Sequence, residues 1–142
     1  MTIAAILGGK QGRVLSVECD TPVRDAIAIL AENKIGSLPV LRDSRVVGIM
    51  SERDVIYCLA SDGAAVIDWK VERIMTSPAI TVTTDVQALA ALSQMTRKRI
   101  RHLPVVEDER LIGIVSIGDL VAYRITRIEQ EAEAMRAYIQ SA

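Results

Sequence analysis

Leu38–Asp54 reads LPVLRDSRVVGIMSERD, and Leu103–Asp119, 65 residues later, reads LPVVEDERLIGIVSIGD. Of the seventeen aligned positions nine are identical: Leu38/Leu103, Pro39/Pro104, Val40/Val105, Asp43/Asp108, Arg45/Arg110, Gly48/Gly113, Ile49/Ile114, Ser51/Ser116 and Asp54/Asp119. Four more exchange one apolar residue for another. Chance does not produce such agreement in 142 residues. The chain is an internal duplication, and the fold must be read one copy at a time.

Working outward, each copy predicts strand, helix, strand, strand, helix. In the first copy a brief strand, Val14 to Val17, follows a polar approach over Lys10 to Arg13. Pro22 suits the first position of a helix, where its missing N–H costs nothing. Val23, Ala26, Ile27 and Leu30 then fall on one helical face. Asn33-Lys34-Ile35-Gly36 closes that helix. Leu38 to Leu41 and Arg45 to Met50 form a hairpin about the polar pair Asp43-Ser44. A second helix starts at Ser51 and stops near Asp62-Gly63. The second copy is expected to place a strand at Ile80 to Val82, a helix over Asp85 to Lys98, and strands at Leu103 to Val106 and Arg110 to Val115. Val23 to Leu38 spans 15 residues and Val86 to Leu103 spans 17, which suggests two residues gained before the second hairpin. Near the N-terminus, Ile3 to Leu7 reads as a short helix ended by Gly8 and Gly9.

These elements imply an α+β fold. Two tandem β-α-β-β-α units pack on each other around a pseudo-two-fold axis, because either unit alone leaves one face uncovered and is too small to bury much of its surface. Residues 8–62 form the first unit, 63–74 an ordered linker with a helical turn around Asp68 to Ile74, 75–125 the second unit, and 126–142 a helical tail. The axis should create two related clefts.

Composition narrows the function. A net charge of −1 and 3% aromatic residues, with no Phe, argue against a nucleic-acid platform or an acidic membrane surface. No apolar run approaches a membrane span, and no basic residue precedes the first apolar patch, so neither anchor nor secretory signal is expected. Cys19 and Cys58 have neither metal-type spacing nor a disulfide-framework count, which suits reduced thiols in the cytoplasm. The single His102 lacks a second ligand at metal spacing. With no nucleophile–base pair, metal cluster or phosphate-binding loop, no catalytic residue is expected and no cofactor is required.

The G-I-x-S-x-x-D frame of both copies carries the chemistry. Ser followed three residues later by an acid can be a helix capping box. It can equally be a nucleotide clamp: free N–H groups at the helix start and the Ser hydroxyl hold phosphate, while the two oxygens of Asp take the hydroxyls of a ribose. The two roles are compatible. Arg101 and His102, at the start of the second hairpin, read as phosphate ligands, and Arg97 and Lys98 suit a solvated helix end. Arg53 can meet a phosphate or pair with a neighbouring acid. Because Gly36 and Ser37 stand where the second copy has Arg101 and His102, the cleft around Ser116 and Asp119 is expected to be the more cationic.

The blocks IGSLPV, GIMSERD, IRHLPVV and GIVSIGD, with VERIMTS at Val71–Ser77, resemble tandem cystathionine-β-synthase (CBS) domains over roughly residues 8 to 125. The resemblance implies a CBS-pair module that binds an adenosyl ligand such as AMP, ADP, ATP, S-adenosylmethionine or NAD(H). It places Asp54 and Asp119 at ribose, Ser51 and Ser116 near phosphate, and Ile80, Leu103 and Pro104 near adenine. The implied role is a regulatory sensor with a separate effector protein. The alternative is a protein-interaction scaffold whose clefts are vestigial. In the tail, Val121, Ile125, Ile128, Ala132, Met135 and Ile139 recur at alternating spacings of four and three, a heptad seam. Folding back in cis and pairing in a homodimer both suit that seam.

Overall fold

The computed structural model describes residues 1–9 and 14–141; the polar approach expected over Lys10 to Arg13 lies outside them. In chain order the elements are α1 (Ile3–Gly9), β1 (Val17–Glu18), α2 (Val23–Asn33), β2 (Ser37–Arg42), β3 (Arg45–Ser51) and α3 (Glu52–Asp62). Two 3-10 turns follow, Gly63–Asp68 and Val71–Arg73, and then α4 (Ala88–Lys98), β4 (His102–Glu107), β5 (Arg110–Ser116) and α5 (Ile117–Ser141). The fold is the expected α+β arrangement of two repeated units, with a long C-terminal helix.

The five strands form one sheet in the order β1-β2-β3-β5-β4. Within each hairpin the strands run antiparallel, and β1 adds to β2 in parallel. The hairpins meet at a single antiparallel pair, Arg45 with Arg110. Both hairpin turns hold two central residues at positive φ: Asp43 and Ser44 at 50° and 67°, Asp108 and Glu109 at 50° and 65°. That is the type I′ geometry whose twist matches a tight hairpin. The edge elements are shorter than expected. Val17 pairs with Val40, and in place of a strand at Ile80 to Val82 the second copy has one parallel bridge, Val82 to Val105.

The expected two-residue insertion is absent. Both α2 and α4 have 11 residues, starting at Val23 and Ala88, and both end on a left-handed residue, Lys34 (φ 52°) and Arg99 (φ 55°). All these positions are 65 apart. Val86 is the counterpart of Thr21 rather than of Val23, and its carbonyl is held by Ile3 N–H at 2.9 Å, so it lies before the helix. Pro22 likewise stands at the N-cap, one residue before the helix.

Two apolar clusters follow the repeat. Val17, Val23, Ala26, Leu30, Leu38, Val40, Met50 and Val55 are buried in the first. Their counterparts Val82, Ala88, Ala91, Met95, Leu103, Val105, Val115 and Leu120 are buried in the second. Each cluster is closed by a lead segment from elsewhere in the chain. Val71 donates to the Thr21 carbonyl at 2.8 Å and Glu72 to that of Cys19 at 3.1 Å. Ile3 and Ala4 donate in the same way to Val86 (2.9 Å) and Thr84 (3.0 Å). The N-terminal helix therefore packs on the second unit, and the segment after the linker's first turn packs on the first.

The frame glycines are explained by these lead segments. A Cβ on Gly48 would lie 2.9 Å from the Thr76 carbonyl oxygen and 2.6 Å from Met75 Sδ. A Cβ on Gly113 would lie 2.7 Å from Leu7 Cδ2. Ile49 and Thr76 exchange two backbone hydrogen bonds, at 3.0 and 2.9 Å, beside Gly48. This contact holds Thr76 against the end of β3, where the cleft opens.

Candidate functional site

At the end of β3 the chain turns into α3 through Ser51, which is the N-cap of that helix. Asp54 N–H donates to Ser51 Oγ at 3.3 Å, and Ser51 N–H donates to Asp54 Oδ2 at 2.9 Å. The capping reading is thus correct as far as it goes. The same pair recurs in the second copy, with Ser116 N–H to Asp119 Oδ2 at 2.9 Å and Asp119 N–H to Ser116 Oγ at 3.1 Å. The first N–H of each helix is also occupied: Glu52 donates to the Gly36 carbonyl at 3.0 Å, and Ile117 to that of Arg101 at 2.8 Å.

Capping leaves Asp54 with capacity. Its Oδ2 also accepts from Ser51 Oγ at 3.1 Å, and its Oδ1 from Thr76 Oγ1 at 3.2 Å. A carboxylate offers about four lone-pair sites, so three donors leave room for one more on Oδ1. Taking both hydroxyls of a diol requires one existing donor, Ser51 Oγ or Thr76 Oγ1, to turn away.

A cavity of about 250 Å³ opens beside this carboxylate. From the first copy it is lined by Gly36, Ser37, Ile49, Ser51, Glu52, Arg53, Asp54 and Tyr57. Thr76, Pro78, Ala79 and Ile80 form another wall, and Arg99, Ile100, Arg101 and His102 complete it. Six of the residues expected from sequence therefore meet in one place: Ser51, Arg53, Asp54, Ile80, Arg101 and His102.

This grouping corrects the expected division of charge. Arg101 and His102 line the cleft of Ser51 and Asp54, and Ser116 and Asp119 are absent from its walls. The residues before each hairpin meet at the pseudo-two-fold axis: His102 Cε1 lies 3.7 Å from where a Cβ on Gly36 would stand. Arg101 and His102, ahead of the second hairpin, therefore line the cleft of the first copy, together with that copy's own Gly36 and Ser37. Leu103 is fully buried in the second core, and Pro104 is buried in β4, where its carbonyl accepts from Val82 N–H at 3.0 Å. Neither lines the cavity. Arg97 and Lys98 lie exposed in the last turn of α4.

Sequence reasoning missed Ser37, Thr76 and Arg99. Ser37 is 5% exposed, lines the cavity, and its hydroxyl has no hydrogen-bond partner among the described protein atoms. Its alignment with His102 was the one available signal. Thr76 reaches Asp54 only because Gly48 admits its backbone. Arg99 is placed by the left-handed turn that ends α4. Among the described residues no group of three His, Cys, Asp or Glu side chains could hold a metal ion, and no helix is long and apolar enough to cross a membrane.

The CBS domain family model matches residues 11–61 and 71–125. A curated relative, the mitochondrial CBS domain-containing protein CBSX3 of Arabidopsis thaliana, is 34% identical over 98% of this chain and 72% of its own length. Further curated relatives are matched over 22% to 65% of their length, so the chain corresponds to only part of those proteins. Among solved structures, a CBS-domain-containing protein from Agrobacterium tumefaciens superposes with a TM-score of 0.82 at 34% identity, over 87% of this chain and 99% of that one. The crystal structure of CBSX2 in complex with AMP superposes with a TM-score of 0.75 at 27% identity, over 88% of this chain and 96% of that one.

Proposed function

The chain belongs to the CBS-domain family, and from that premise we propose that it is a regulatory, non-catalytic module that binds an adenine mononucleotide between its two units. The observation that carries this reading is Ser37. A buried hydroxyl without a partner costs about 1–3 kcal/mol, and this one belongs to a residue that lines the cavity of Asp54 and Arg101, so a small side-chain rotation would bring it to a ligand there. A ligand that hydrogen-bonds to it recovers that cost.

Size and charge favour one class of ligand. Ligand pockets typically begin near ~300 Å³, so about 250 Å³ suits one nucleoside with a short tail better than the two nucleosides of NAD(H). Three arginines, Arg53, Arg99 and Arg101, face two acids, Glu52 and Asp54. The excess positive charge suits a phosphate tail and opposes the sulfonium of S-adenosylmethionine. In this arrangement Asp54 takes the ribose hydroxyls, Ile80 and Ile100 flank adenine, and Arg101, His102 and Arg53 meet phosphate. The neighbour crystallised with AMP supports the choice. Ser116 and Asp119, held in the same hydrogen-bonded pair, supply the equivalent anchor of a second subsite. Binding is relayed to a separate effector protein. The free thiols Cys19 and Cys58 suit a reducing compartment, and we place the chain in the cytoplasm.

A ligand screen by thermal unfolding tests the reading. At ~100 times its dissociation constant one ligand adds ~2.7 kcal/mol, which for a chain of this size raises the midpoint by roughly 5–10 °C. AMP or ADP should do so, with S-adenosylmethionine and NADH shifting it less at equal concentration. If none of the four at millimolar concentration moves the transition, the sensor reading fails and the scaffold reading stands.

A further inference from the structure

α5 outlasts the unit that it closes. Leu120 is buried in the second core and Tyr123 packs against it, but every described residue from Arg124 onward is exposed. The part beyond residue 125 extends as a rod of roughly 24 Å at ~1.5 Å per residue. Its apolar residues do not fold back: Met135 is 60% and Ile139 65% exposed. They continue the stripe of Val121, Ile125 and Ile128, in the alternating spacing of a two-stranded seam. An isolated helix of this length is marginal in water unless its apolar face is covered.

We propose that the covering partner is the same seam of a second copy of this chain, paired in parallel and in register. The flanking charges select this arrangement. Arg124 and Glu131 each precede a seam residue, and Glu129 and Arg136 each follow one. In a parallel pair, the residue before the seam meets the residue five positions later on the other helix. Arg124 of one copy then meets Glu129 of the other, and Glu131 meets Arg136, each contact occurring twice by symmetry. Antiparallel pairing that engages all six seam layers opposes Glu131 to Glu131 and Glu129 to Glu129. Within one helix Glu131 already takes Arg127 Nε at 3.3 Å. That exposed i,i+4 pair is weak and leaves the carboxylate accessible to a second cation.

Cross-linking and charge exchange on the full chain test the orientation. With Cys19→Ser and Cys58→Ser as background, Met135→Cys should form a disulfide dimer with itself under mild oxidation. In the antiparallel alternative Met135 faces Ile125, so Met135→Cys would cross-link only when mixed with Ile125→Cys, which overturns the proposal. By sedimentation equilibrium, Glu131→Arg or Arg136→Glu alone should weaken self-association about ten-fold, since each turns two attractive contacts repulsive. An equimolar mixture of the two variants should restore it, because each then meets its opposite. These positions are exposed, and unchanged circular dichroism of each variant confirms that folding is intact. A monomeric full chain at tens of micromolar, or a dimer indifferent to Glu131→Arg, contradicts the proposal.

Discussion

Arg45 on β3 pairs with Arg110 on β5, and the two are counterparts in the repeat. A residue that pairs with its own copy on an antiparallel strand marks a two-fold relation between the units. Opposed arginines are unfavourable neighbours in a sheet, and Glu109, 3.3 Å from Arg45 Nε, offsets the repulsion. From this pair outward the core positions repeat at a spacing of 65 residues, while the lead segments, Val71 with Ile3 and Glu72 with Ala4, repeat at 68. The difference of three residues falls between each lead segment and the strand or bridge after it.

The N-terminal helix is therefore a structural part of the second unit. Ile3 is fully buried among Ala88, Ala91 and Leu103. Ile3→Ala should destabilise the protein by about 2–4 kcal/mol, in the range for a truncated core isoleucine. Urea unfolding measures it. A loss below ~0.5 kcal/mol, the usual limit for a surface substitution, would show that the segment is a dispensable terminus.

The two frame glycines should differ in sensitivity. An added Cβ at Gly48 meets a backbone carbonyl fixed by two hydrogen bonds, whereas at Gly113 it meets the end of a leucine side chain. Gly48→Ala should cost about 2–3 kcal/mol, within the range of overpacking, and Gly113→Ala about 1 kcal/mol or less, since Leu7 can change rotamer. Denaturant midpoints of the two variants decide it, and equal losses would contradict this account of the close approach.

Ser37→Ala should move stability and affinity in opposite directions. Removing a buried, unpartnered hydroxyl should stabilise the ligand-free protein by about 1 kcal/mol, and the same change should weaken AMP about five-fold by deleting one hydrogen bond. Thermal unfolding without ligand and titration with AMP measure the two effects. Unchanged affinity would remove Ser37 from the site.

Much of this was legible because it was written twice. The repeated LPV hairpins and the S-x-x-D frame fixed the order of elements, the pairing of strands and the position of the capping residues. Short pieces set by distant contacts were harder to read. Val86 has the character of a helical residue, yet Ile3 claims its carbonyl and the helix begins two residues later. The strand at Ile80 to Val82 shrinks to one bridge because it needs only two hydrogen bonds to β4, from Val82 to Pro104 and from Val106 to Val82. The division of charge between clefts failed for a geometric reason. Arg101 follows α4 in sequence and suggests service to its own copy, but the residues ahead of both hairpins meet at the axis, and Arg101 and His102 there line the first copy's cleft beside Gly36 and Ser37. Nothing in one dimension reports that crossing.

The most direct test is therefore a calorimetric titration of AMP into the wild type and into Asp54→Ala, Arg101→Ala and Asp119→Ala, with adenosine as the control ligand. Asp54→Ala removes charge-assisted hydrogen bonds of ~1.5–3 kcal/mol each and should weaken AMP ten-fold or more. Arg101→Ala should weaken the same binding event for AMP but spare adenosine, because only the phosphate loses a partner. Asp119→Ala should leave that event intact. If Asp119→Ala instead abolishes the event that Arg101→Ala weakens, while Asp54→Ala spares it, the cleft between Asp54 and Arg101 is not the nucleotide site.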